Sequence, residues 1–179
     1  MKRLQKAALI VEMLDEMIKK GSWAGETHLQ KCLFFLQDMR NVPIGYEFQL
    51  YRYGPFSFDL RDDLVQLQAE GVLNLSPRSA SYGASLEPSE TSLLLLRKHF
   101  PGTLKKYRNE IGFIAAHFGS LNARDLECLT TAYYFHLEDS GSSNEEIGSM
   151  INRVKPYIGV SEGADAAKRV RGIAGSGTL

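Results

Sequence analysis

The ten residues from Tyr51 to Leu60, Tyr-Arg-Tyr-Gly-Pro-Phe-Ser-Phe-Asp-Leu, constrain the fold of this chain more than any other stretch. A strand-like run enters them and a helix leaves them, through a rigid turn. Gly54 has access to backbone angles closed to other residues, and Pro55 fixes its own φ at about −65°. Ser57 is placed to cap the next helix through its hydroxyl, with Asp59 in the first turn favoured by the helix dipole. Tyr51, Tyr53, Phe56 and Phe58 flank the turn, more rings than its own small core requires.

Apolar spacing supplies the elements on either side. Leu4, Ala8, Val11, Leu14 and Ile18 recur at three- and four-residue steps, and Ile10, Met13 and Met17 widen that face, so a first helix with two packed neighbours is expected, ended by Gly21. A second helix is expected from Thr27 as N-cap, with Leu29, Cys32, Leu33, Leu36 and Met39 inward, stopped by Asn41 and Pro43. From Tyr46 to Tyr53 the pattern alternates as a half-buried strand does. Leu60, Leu64 and Leu67 mark a third helix with Gly71 after its end. Val72 to Leu75 and Tyr82 to Leu86 read as a β-hairpin. Helix, helix, strand, helix and hairpin give the outline of a winged helix, with that hairpin as the wing and at least two of the four rings in the core beneath it.

The rest reads as helix. Ser89 opens a leucine-rich segment ended by Pro101 and Gly102; Leu104, Tyr107, Ile111, Ile114 and Phe118 follow. Asn122 with Asp125 and Ser143 with Glu146 carry capping signals, Pro156 breaks the second of those helices, and a last short helix is expected from Ser161 to about Arg171. The expected fold is mainly α with a small β-hairpin. It comprises a winged helix-turn-helix core over 1–88 and a helical extension over 89–179 packed on it as one compact unit, with 174–179 a flexible tail.

Chemistry is sparse. No nucleophile elbow, Walker loop or His-Glu-x-x-His helix occurs, and the four histidines fall on separate expected helices. The chain reads as non-enzymatic, with no cofactor. Cys32 and Cys128 sit in apolar helical patterns and read as buried free thiols; His28 and Cys32 at i,i+4 are half a metal site at most, so no metal is expected. The mixed first helix is no signal peptide and no run approaches the roughly 20 apolar residues of a membrane span. A cytoplasmic protein is expected.

Charge decides between partners. Lys plus Arg and Asp plus Glu are 21 each. From Ser57 to Glu70 the third helix holds Asp59, Asp62, Asp63 and Glu70 against Arg61, one minus four, or −3. A helix in the major groove runs between phosphate backbones that repel such a surface. A protein partner is therefore expected near Tyr51, Tyr53, Phe56, Asp59, Asp62 and Asp63. The alternative is nucleic-acid contact through Arg52, Arg61, Arg78, Lys105, Lys106 and Arg108, with Arg97/Lys98 and Lys168/Arg169/Arg171 as further basic clusters.

Leu29-Gln-Lys-Cys-Leu-Phe-Phe-Leu36, then Tyr46 through Ser57, then Leu64 through Gly71 resemble the YwgA-like bacterial winged-helix proteins. That neighbourhood includes the Panacea antitoxin domain and the C-terminal domain of DNA ADP-ribosylation antitoxins. These share the layout Leu-Gln-Lys, then Tyr-Gly-Pro-aromatic-Ser/Ala. Leu126 to Tyr134 and Lys155-Pro156 resemble the later half of YwgA-like chains. The resemblance implies a non-enzymatic module of toxin–antitoxin or phage-defence settings whose partner is a toxin or defence effector. The acidic third helix would then imitate nucleic acid toward a basic partner.

Overall fold

Helical spacing becomes helix throughout the chain, in a computed structural model that describes residues 1–77 and 83–176. Of the structure, 67% is helical, and the strands form small antiparallel pairs. The mainly α expectation therefore holds. Two units divide the chain: Met1–Phe48 with Ser57–Leu121, and Gln49–Phe56 with Asn122–Leu179. The first runs past the expected boundary at 88 because the two helices after the strand pair share its core. The second takes up the short hairpin around Gly54.

In the first unit α1 (Arg3–Lys19) buries Ala7 through Val11, Met13, Leu14 and Met17. Two helix faces are covered, as expected, but Leu4 and Ile18 at its ends are exposed. Gly21 ends it with φ +80°, the left-handed turn that favours glycine. Helix α2 (Glu26–Phe34) starts one residue before the expected cap, with Gly25 and not Thr27 as its N-cap, and runs into a π-helical turn at Phe35–Met39. That turn seats Phe35 against Phe118, the rings stacked 4.1 Å apart.

The expected strand from Tyr46 to Tyr53 is shorter. Only Gln49–Tyr51 (β1) is strand, and Gly54–Phe56 (β2) folds back on it with Tyr51 opposite Gly54. The Gly-Pro segment is thus itself a strand, and Arg52 and Tyr53 form the loop. Gly54 has φ +94°, the left-handed position that a short hairpin loop assigns to glycine. Pro55, with no N–H to donate, is tolerated because a two-stranded pair leaves an open edge.

Helix α3 (Phe58–Ala69) begins where the sequence places it, the Leu60 N–H donating to Ser57 Oγ at 3.3 Å. Leu60, Leu64 and Leu67 are its buried stripe. Strands β3 (Leu73–Ser76) and β4 (Ser85–Pro88) follow as the second antiparallel pair. Arg78 and Tyr82 lie outside the described residues. Helices α4 (Glu90–His99), capped by Ser89, and α5 (Pro101–Phe118) complete the unit.

The second unit holds α6 (Ala123–Glu138), α7 (Asn144–Val154) and α8 (Val160–Ser176). Asn122 caps α6, and Ser143 with Glu146 forms the expected capping box of α7. The last helix is longer than the sequence suggested. Helices α7 and α8 meet at Gly148 and Gly163: a Cβ on Gly148 would lie 2.3 Å from the Val160 carbonyl oxygen, and one on Gly163 2.9 Å from Gly148 Cα.

One buried amide joins α2 to the start of α3. Gln30, with no exposed surface, donates from Nε2 to the Ser57 carbonyl at 3.0 Å and accepts the Ser57 N–H on Oε1, also at 3.0 Å. Gln30 belongs to the Leu-Gln-Lys half of the layout and Ser57 to the Gly-Pro-Phe-Ser half, and these two bonds bring the halves together. Replacing Gln30 by Leu strands the Ser57 N–H and is expected to destabilise the first unit by about 1–3 kcal/mol, measured by urea unfolding.

Candidate functional site

Buried charge needs a partner, and the second unit buries a lysine. Lys155 is the C-cap of α7, stopped there by Pro156, and only 3% of it is exposed. Its ammonium has three protons to place. It donates to Glu127 Oε1 on α6 at 2.7 Å, to the Arg52 carbonyl at 2.5 Å, and, more distantly, to the Tyr51 carbonyl and the Tyr157 hydroxyl at 3.5 and 3.4 Å. The Tyr157 hydroxyl also donates to Glu127 Oε1, at 2.5 Å. Desolvating two charges is offset only when their remaining hydrogen-bonding capacity is met, and this cluster meets it with the hairpin backbone. A cation in the interior therefore fixes the position of the β1–β2 loop.

What the loop carries is aromatic. Tyr51 and Tyr53 are 53% and 56% exposed, and Tyr157 is 53% exposed. Phe56 is half-buried with its ring 5.7 Å from that of Tyr51. Burial of its hydroxyl, with the Glu127 bond, pushes the Tyr157 phenol up to about 12, so it stays a donor through the neutral range. Arg124 donates to the Tyr157 carbonyl and pairs with Glu162 at 2.9 Å. The expectation that at least two of Tyr51, Tyr53, Phe56 and Phe58 lie in a core is corrected. None of the four is fully buried: the hairpin closes on its backbone and on Lys155, leaving the Tyr51 and Tyr53 rings exposed, while Phe56 and Phe58 are half-buried.

The acids fall elsewhere. Asp59, Asp62 and Asp63 lie on α3 in the first unit, and the division between units passes between Phe56 and Ser57. Asp59 and Asp62 are exposed. Asp63 is partly buried and accepts from the Tyr46 hydroxyl at 2.6 Å, which, after burial, helps raise the Tyr46 phenol far above its usual range. Asp63 thus serves the fold.

Among the expected phosphate contacts, Arg61 is engaged with Asp62 at 3.0 Å and lies over the Phe58 ring. Arg52 is exposed, while Arg78 is outside the described residues. Lys105, Lys106 and Arg108 are exposed on α5. Arg97, partly exposed, forks onto Glu12 and Asp15 of α1 at 2.8 and 2.5 Å, so its charge is already paired.

Sequence reading missed Lys155, Glu127 and Tyr157 as a group. One signal was present, since Glu127 is the only charge between Leu126 and Phe135, a stretch whose first eight residues are all buried. No family model matches the chain, and comparison with curated proteins gives no match. Among the described residues no helix is long and apolar enough to cross a membrane.

Lys155→Met leaves Glu127 as an unpaired buried carboxylate and is expected to cost about 3–5 kcal/mol. Adding Glu127→Gln should recover part of that loss, because the two residues act as a pair. Guanidinium unfolding of the two single variants and the double variant measures both.

Proposed function

We propose that this chain is a non-enzymatic winged-helix interaction module that binds a protein partner in the manner of an antitoxin or phage-defence adaptor. One observation carries the reading: Tyr51 and Tyr53 stand more than half exposed on a hairpin whose carbonyls are held by a buried ammonium. Aromatic side chains on a rigid support bind at low entropic cost, and such residues dominate interface energies. Tyr157, tied to the same Glu127, adds a third ring to that surface. The winged-helix assignment draws on the order α1, α2, α3 and the β3–β4 pair, with β3–β4 as the wing and acidic α3 as a surface for a basic partner. The toxin or defence-effector class of partner rests on the sequence resemblance, as does a cytoplasmic site of action.

The test is capture from the native host with tagged protein, followed by measurement of affinity for the protein recovered. Tyr51→Ala and Tyr53→Ala are each expected to weaken binding about tenfold or more. Asp59→Lys with Asp62→Lys, which leaves the Asp63 bond to Tyr46 in place, tests α3 separately as a surface for a basic partner and is expected to weaken capture of that partner. Unchanged affinity in the tyrosine variants overturns the reading.

A second reading, a winged-helix DNA-binding regulator, is favoured by Lys105, Lys106 and Arg108. They are exposed on α5, and none has a carboxylate partner among the described residues. If these three neutralise phosphates, a salt-titrated gel shift should give a log–log slope of about −3. No shift at low ionic strength removes this reading.

A further inference from the structure

Helix α4 contains four consecutive leucines, Leu93 to Leu96, yet none of its residues is buried. Its inner side is formed by Leu93, Leu96 and Arg97, each partly covered, with Arg97 bound to α1. Its outer side presents Leu94 and Leu95, 62% and 49% exposed, between exposed Glu90 and Lys98. Glu90, Leu94 and Lys98 follow one another at four-residue steps and so share a stripe. Among the described residues neither Glu90 nor Lys98 has an ion-pair partner.

We propose that this face of α4 is a homodimer contact, in which two copies lay their α4 helices antiparallel with the two-fold axis at Leu94. The stripe is its own complement under that rotation, as an isologous contact requires. Glu90 lies four residues before Leu94 and Lys98 four after it, about 6 Å of helix on each side. Each carboxylate therefore meets the partner's Lys98, and each ammonium the partner's Glu90, with Leu94 against the partner's Leu94. The antiparallel arrangement also opposes the helix dipoles, whereas a parallel one would set like charges together.

One face of a ten-residue helix covers a few hundred Å², well under the roughly 800 Å² per partner of a stable complex. The dimer is accordingly weak and reversible, with dissociation on the order of 100 µM.

Sedimentation equilibrium of the full chain from about 10 µM to about 1 mM brackets that range. A monomer–dimer equilibrium is expected. Leu94→Glu should abolish it while leaving the circular dichroism spectrum unchanged, since the side chain it alters is exposed. Glu90→Lys and Lys98→Glu each set like charges at both contacts and should weaken the dimer about tenfold. Mixed in equal amounts, those two variants are complementary at both contacts and should re-form the dimer as a heterodimer, seen by native mass spectrometry. A monomer at every concentration overturns the proposal. So does a dimer indifferent to the reversals, or a mixture that associates no better than either variant alone.

Discussion

The second unit is organised around a charge placed where water cannot reach it. A buried ammonium is tolerable only if every proton finds an acceptor, and Lys155 finds them on Glu127 and on the carbonyls of the hairpin loop. That requirement ties three separate parts of the chain together: residues 51–52, the first turns of α6 and the end of α7. Pro156 contributes by ending α7 at Lys155, and the Gly148–Gly163 contact by letting α7 and α8 approach closely. Because the hairpin is held through its backbone, its tyrosines are left to face outward. Exposure of the rings and burial of the lysine are two results of one arrangement.

The first unit solves a smaller problem of the same kind. Ser57 must leave a strand and begin a helix, and its backbone N–H would be an orphan donor inside the protein. Gln30 accepts it and returns a donor to the Ser57 carbonyl. The Ser57 hydroxyl then caps α3. Motif halves that lie 27 residues apart in sequence are thus one hydrogen-bonded unit. A planar amide offering donor and acceptor side by side explains why a glutamine suits that position.

The aromatic and acidic residues that sequence reading grouped as one contact belong to different units. Tyr51, Tyr53 and Phe56 travel with Lys155, whereas Asp59, Asp62 and Asp63 belong to α3. Of the acids, Asp63 is committed to Tyr46 and Asp62 to Arg61, which leaves Asp59 as the acid least engaged by its neighbours. The aromatic hairpin is therefore the stronger basis for the proposed binding.

Local chemistry alone determined a good deal. The Ser57, Ser89, Asn122 and Ser143 caps, the glycine stops at Gly21 and Gly71, and the buried stripe of α3 follow from short-range hydrogen bonding and the 3.6-residue repeat, and all are legible in sequence. What sequence did not determine is which elements pair across long separations. The span of β1 depended on β2 turning back to meet it. The burial of Lys155 depended on Glu127, 28 residues away, and on carbonyls about a hundred residues away. At least two of the four rings around Gly54 looked like core because aromatic residues bury the most area, but Phe56 and Phe58 are only half-buried and the closed hairpin leaves Tyr51 and Tyr53 exposed. Burial is a property of what surrounds a side chain, and for these residues the surroundings are supplied by distant parts of the chain.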